Sequence, residues 1–452
     1  MPSQPERLRL GGRDLAVSSA IAFAGLTVAR LLGFLFSVAA ARILVPEDYG
    51  RMAYGLALAA IASVLLSSSP IGLSRFLARE NGDLARQNVH FSNWLGVVGV
   101  LLATSLLMLA PISWAGGLGG WMVVGVGANL VGTAVLETYR EAQRGMGRYG
   151  LQALFYSLAN LLQLVGIVVA AGLGWSSPAL FVTIYGCSSL AACLLMELVA
   201  PVGIRFLRET LSRQRMLMVL RFIWPLVLQS VFFAIWFGAD LVLVQHMLPA
   251  AATGDYAAAK TLANAVWMAP AAIGMVLVPM VARLPVDELR RRLPHIVVAA
   301  ALVTVPGACA LALGGRLLIR ATFGDAYPDA AAPLALLGLG MATHGLYLVF
   351  FSIWVGIGRP LIDLVATAAG MTCTVGAAFL LIPNGGLLGA ATAFTLGATL
   401  RLGVIAVFTI WSLHLRSDVG GTVAANLPET PMVRGATGGR DWSRWDGEPA
   451  DA

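Results

Sequence analysis

The sequence predicts an all-α membrane protein of twelve transmembrane helices, and three observations predict it. Apolar residues make up 58% of the 452-residue chain and charged residues only 12%, against about 25% in a soluble domain. The apolar residues gather into runs that reach the roughly 20 residues a bilayer-crossing helix needs. Arginines alternate between the connecting segments, twenty in one set and four in the other, which is the positive-inside asymmetry of a polytopic protein.

The expected spans, in order, are 15–38, 53–73, 91–111, 117–136, 151–171, 177–199, 221–246, 257–281, 295–313, 333–355, 361–382 and 389–413. The first follows basic residues, as a signal peptide would, but a cleavable apolar core is about 7–15 residues. This run is longer and contains Arg30, so it reads as a retained helix. Pro70 interrupts the second span, Pro225 the seventh, and Pro270 and Pro279 the eighth. Such breaks are tolerated where neighbouring groups re-satisfy the backbone, and Pro225 and Pro270 are candidate bending points for gating. Cys187, Cys193, Cys309 and Cys373 all fall inside spans without metal spacing and read as small packing residues.

With the N-terminus inside, the basic segments carry Arg7, Arg9 and Arg13, then Arg75, Arg79 and Arg86, then Arg140, Arg144 and Arg148. A central loop holds Arg205, Arg208, Arg213, Arg215 and Arg221; Arg283, Arg290, Arg291, Arg292, Arg359 and Arg416 complete the set. The other side has Arg42, Arg51, Arg316 and Arg320, diluted by acids. Both termini are therefore expected in the cytoplasm. The net charge of +7 does not mark a nucleic-acid face, because it sits in short loops between apolar spans. The last residues, rich in Gly, Pro and Thr, read as a disordered tail.

The chain repeats itself. Arg42, Gly50 and Arg79 stand 204 residues before His246, Gly254 and Arg283, and Gly145-Met146-Gly147-Arg148 matches Gly356-Ile357-Gly358-Arg359. An offset spanning six helices makes a parallel repeat about an axis along the membrane normal. The expected division is 1–200, an N-terminal six-helix lobe; 201–220, a basic cytoplasmic inter-lobe loop; 221–415, a C-terminal six-helix lobe; and 416–452, a disordered cytoplasmic tail. Two such lobes enclose a central cleft. The Gly-x-Gly-Arg elements lie between apolar spans and lack the strand that a phosphate loop requires, so they read as tight turns.

An ionisable side chain at mid-bilayer costs roughly 2.5–3.5 kcal/mol and needs a partner or a wet cavity. Arg30 lies near the middle of the first span, too deep for easy snorkelling. It is expected to face the cleft and contact an anionic group; the alternative is a structural pair with Asp240 or a helix C-terminus. Asp240 and Lys260 are expected to meet across a short outer turn, with a structural and a coupling role both open. Arg401 lies inside the twelfth span and is a second candidate for the cleft, together with Asn160 and Gln163, which share a helix face. Interhelical hydrogen bonding is the competing role for such polar residues. Glu137, Arg140, Glu141 and Arg144 form i,i+3 and i,i+4 pairs and read as a solvated ladder. No catalytic or metal-ligating constellation emerges, and no cofactor is expected.

At this point the motifs acquire a resemblance. Ala41-Arg42-Ile43-Leu44-Val45-Pro46-Glu47-Asp48-Tyr49-Gly50 resembles the outer turn of bacterial polysaccharide transporters, the oligosaccharide flippases of the MOP superfamily. Asp240 with Gly254-Asp255-Tyr256, Phe323-Gly324-Asp325-Ala326-Tyr327, and Asn384-Gly385-Gly386-Leu387-Leu388-Gly389-Ala390 resemble later segments of that family, in order. The resemblance covers about residues 15–415. It implies a two-lobed alternating-access transporter that moves undecaprenyl-pyrophosphate-linked oligosaccharide from the inner to the outer leaflet for surface polysaccharide. Its partners are then that lipid-linked substrate, membrane lipids, and a glycan polymerase and glycosyltransferases, not nucleic acid. Arg30 is similar to the first-helix Arg of the related lipid II flippases. No thirteenth or fourteenth span is expected, which sets the chain apart from those. Two alternatives stand beside this reading: a cation-coupled small-molecule or multidrug exporter of the same fold, and a membrane polysaccharide polymerase or ligase. The latter needs reactive residues in a long outer loop, and the longest one expected, about 314–332, holds no nucleophile–base pair.

Overall fold

The computed structural model describes residues 12–80, 83–281, 286–357 and 361–414. Arg7, Arg9, Arg283, Arg359, Arg416 and the tail 416–452 lie outside the described residues. Within them the chain is helical, with no strand. The helices are α1 (Gly12–Ile43), α2 (Pro46–Ala62), α3 (Val64–Ser68), α4 (Leu73–Arg79), α5 (Leu84–Ala115), α6 (Gly120–Gly145), α7 (Tyr149–Gly172) and α8 (Pro178–Val199). After a central connection come α9 (Arg213–Met247), α10 (Ala250–Ala263), α11 (Ala265–Val281), α12 (Val286–Thr322), α13 (Ala331–Ile357) and α14 (Leu361–His414). Among the described residues nine helices are long and apolar enough to cross a membrane, ten if the bent pair running from α2 into α3 and α4 is one span.

Local chemistry explains most boundaries. Pro46 opens α2, where its missing N–H costs nothing, and Glu47 and Asp48 follow in the first turn, facing the positive helix end. Ser177 caps α8 by accepting the Leu180 N–H at 3.2 Å, and Pro178 follows it. Gly147 turns the chain between α6 and α7 at φ +75°. α14 is two helices in one: Gly386 has φ 54° and ψ −133°, outside helical space, so the helix breaks there. Its arms lie against each other, because a Cβ on Gly370 would stand 2.9 Å from the Gly397 carbonyl oxygen. The expected spans 361–382 and 389–413 are these arms.

Several expectations change in detail. The seventh span reaches back to Arg213, so 213–220 is helix and not loop. The preceding segment is fastened to α5: the Asn88, Ser92 and Asn93 side chains accept the N–H groups of Arg205, Leu207 and Ser212 at 2.8–2.9 Å. The ninth span extends to Thr322, which shortens the expected outer loop to 323–330. α9 runs unbroken through Pro225 and α11 through Pro270, so neither is a chain break. The second span bends by 49° at Ser63, and it is interrupted again at Pro70, which lies in a 3₁₀ turn, Ser69–Gly72, between α3 and α4.

The packing keeps each half of the chain largely to itself. α1 packs on α7 and α6 on α8; α9 packs on α14, and α13 on α11, α12 and α14. The halves meet where α2 crosses α10 and where α9 lies along α2, α3 and α5. A Cβ on Gly50 would stand 2.7 Å from the Gly254 nitrogen, and one on Gly254 would overlap the Pro46 carbonyl oxygen. The two glycines matched by the 204-residue offset therefore touch, and the close crossing needs both.

Candidate functional site

Arg30 is set by the α1–α7 pairing. A Cβ on Gly25 would overlap Ala153, Ser157 Oγ donates to the Gly25 carbonyl at 3.0 Å, and Asn160 Nδ2 donates to the Ala29 carbonyl at 2.8 Å. These contacts bury Ala29 against the first half and leave Arg30 exposed. Its guanidinium lies over the Trp267 ring of α11, 5.0 Å from the centroid, so it points from the first half of the chain toward the second. Tyr156 and Tyr185 stand close enough to feel its charge. Among the described residues no carboxylate lies within ion-pair distance of Arg30. Gln163, also on α7, is buried and donates to the Tyr185 carbonyl at 3.3 Å. Asn160 and Gln163 thus hold helices together around Arg30.

The other deep charges are paired. Lys260 Nζ lies 2.5 Å from Asp240 Oδ1 and also donates to the Phe237 carbonyl, while Tyr256 donates to Asp240 Oδ2 at 2.7 Å. Asp240 is taken by Lys260, which leaves it no role as a partner for Arg30. Arg401 is 2% exposed. It sits 3.6 Å from Asp363, donates to Thr367 at 3.1 Å, and lies over the Tyr347 ring at 3.7 Å. Gln229 donates to the second Asp363 oxygen at 2.6 Å. Arg401 therefore sits inside the second half, enclosed by Phe233, Trp236 and Tyr347. Burying an ion pair is tolerable only with such additional hydrogen bonds.

Glu137 and Glu141 are buried, not solvated. Arg140 binds Glu137 at 2.6 Å and Glu141 at 3.2 Å, and Tyr156 donates to Glu137. The ladder faces inward because α6 packs tightly on α8: a Cβ on Gly132 would overlap the Gly186 carbonyl.

The sequence motifs converge elsewhere, at the end of the molecule that carries Arg42. Arg42 donates to the carbonyls of Ala321 and Thr322 at 2.6 and 2.7 Å, the last residues of α12. Tyr327 donates to the Ala41 carbonyl at 2.8 Å, and Tyr49 packs edge-on against it at 5.7 Å. In the matching position His246 meets Tyr54 at 3.0 Å, and Tyr54 donates to the carbonyl of Gly116, at the end of α5. The halves are clasped at this end by both copies of the repeat.

Two residues of this arrangement were not foreseen. Asp363 lies in the first turn of an expected span, and folding the last two spans back at Gly386 brings Arg401 opposite Gly370, within reach of Thr367 and Asp363 one and two turns on; an acid inside the start of a span was the available signal. Trp267 carries no sequence signal among so many apolar residues.

Among the described residues the chain is an all-helical bundle in which Arg30 stands between the halves without a carboxylate, and its fold is shared with the membrane proteins named below. The chain is a member of the family described as polysaccharide biosynthesis protein, whose model matches residues 16–285. No curated protein matches it. Among solved structures it is similar to an inward-facing multidrug-resistance MATE transporter of the MOP superfamily, at 16% identity and TM-score 0.74 over 88% of this chain and 100% of the other. It is also similar to the lipid II flippase MurJ in an inward closed conformation, at 12% identity and TM-score 0.68 over 88% and 90%. An outward-facing MATE structure matches at 15% identity and TM-score 0.59 over 90% and 97%.

Proposed function

We propose that this protein flips undecaprenyl-pyrophosphate-linked oligosaccharide from the inner to the outer leaflet by alternating access, for surface polysaccharide synthesis. In this reading the chain crosses the membrane twelve times in two lobes, 1–200 and 221–415, with both termini in the cytoplasm, and α10 with α11 and α2 to α4 each serve as one broken span while α14 serves as two. A glycan polymerase and glycosyltransferases would act on either side of the step. The observation that carries this reading is Arg30: a deep, exposed cation between the lobes with no carboxylate of its own, suited to an anionic diphosphate. Arg401, enclosed with Asp363, supports the second lobe's interior. In this reading the clasp at the Arg42 end is the closure on the outer side.

Four buried carboxylates count against cation coupling, since Glu137, Glu141, Asp240 and Asp363 each have an Arg or Lys within 4 Å; Asp255, buried near the start of α10, is not among them. The membrane potential is then the natural driving force: two negative charges moving outward across 100 mV gain about 4.6 kcal/mol. The test is Arg30→Ala in a flippase-deficient strain. The variant is expected to reach the membrane and to leave surface glycan unrestored; normal surface glycan would remove Arg30 from the mechanism.

A further inference from the structure

The Arg30–Trp267 contact is the link across the proposed cleft whose two members are least committed elsewhere. Trp267 follows the break at Asn264, so it stands at the start of α11 where the eighth span changes course. One face of its indole carries the Arg30 guanidinium at 5.0 Å, and His344 meets it edge-on at 5.6 Å. Its indole N–H is buried with no acceptor among the described residues, which disfavours the present seat of the ring. A cation lying on an aromatic face is a weak interaction compared with a guanidinium bound to a diphosphate. A diphosphate arriving at Arg30 would therefore draw the guanidinium off the ring and uncover an indole face directly beside itself.

We propose that Trp267 is the platform for the sugar attached to the diphosphate, so that one contact is exchanged for two: Arg30 takes the phosphate oxygens, and the freed indole face stacks on the C–H face of the adjoining pyranose. Indole supplies a large, flat apolar surface that binds such faces without reading hydroxyl pattern closely. The inference rests on the transport reading above and extends it from the diphosphate to the first sugar. It makes Trp267 a specificity residue that separates sugar-bearing from bare lipid, while Arg30 binds both.

The test is native mass spectrometry of the full chain with two lipids, undecaprenyl diphosphate and the same lipid carrying one glucose. Wild type is expected to prefer the glucosylated lipid by about tenfold. Trp267→Leu is expected to lose that preference while binding the bare lipid at least as well as wild type, because its Arg30 is no longer held on a ring. Trp267→Phe, which keeps an aromatic face of smaller area, is expected to retain an intermediate preference, and Arg30→Ala to lose both lipids together. If Trp267→Leu and Trp267→Phe weaken the two lipids equally, Trp267 merely positions Arg30 and the proposal is overturned. It is overturned alone if wild type binds both lipids with equal affinity. If wild type binds neither, the transport reading itself falls.

Discussion

Arg30 and Arg401 are the same residue at similar depth in the first and last spans, yet their surroundings are opposite. Arg401 is enclosed by three aromatic rings and held by Asp363 and Thr367. Arg30 is exposed and rests on one ring. The difference teaches that depth alone does not make a buried cation a binding group. What matters is whether the fold supplies the counter-charge: where it does, the cation holds helices together, and where it does not, the cation remains free for a ligand.

Substitutions at the two sites should separate accordingly. The largest effect is expected from Asp363→Ala, which strands Arg401 in the interior; breaking a buried pair costs about 3–5 kcal/mol. Thermal unfolding in detergent should show a marked loss, and Asp363→Leu combined with Arg401→Leu should recover most of it. A single variant as stable as wild type would mean that Arg401 is not held by the pair. A middle effect belongs to Asn160→Ala, which removes the 2.8 Å bond to the Ala29 carbonyl and frees α1 to rotate. About 1 kcal/mol is expected, together with weakened transport, because Arg30 is aimed by that bond. Unchanged transport at lowered stability would reduce Asn160 to a packing role. The smallest effect is Arg30→Ala, whose loss of one ring contact is worth about 0.5–1 kcal/mol at most. A fall in stability comparable to that of Asp363→Ala would reveal a structural partner for Arg30 and erase the contrast.

Much of the fold was legible. Apolar run length located each described span, but some helix ends lie up to nine residues beyond the expected ones, as at Gly145, Val286 and Thr322, because the bilayer requirement acts on composition and not on where a helix stops. The repeat anchors were legible too: Gly50 and Gly254 were matched by offset and prove to be in contact. Function was less legible at the level of residues. The motifs from Arg42 to Gly50 and from Phe323 to Tyr327 were the most recognisable text in the chain, and they build the clasp at one end and not the surroundings of Arg30. Glu137 and Glu141 looked like a solvated ladder because i,i+4 spacing reports a helix face but not what covers it.

By itself, the sequence determined that this chain lives in a membrane and crosses it many times, and that its charges at depth would each need an explanation. Those properties follow from local composition and from the free energy of placing each residue in lipid, which needs no knowledge of neighbours. Only the tertiary structure decided which explanation each charge receives. Asp240 found Lys260, Arg401 found Asp363, and Arg30 met only an indole, because pairing depends on which helix faces meet. In lipid that choice is governed by close packing at small residues such as Gly25, Gly132 and Gly254.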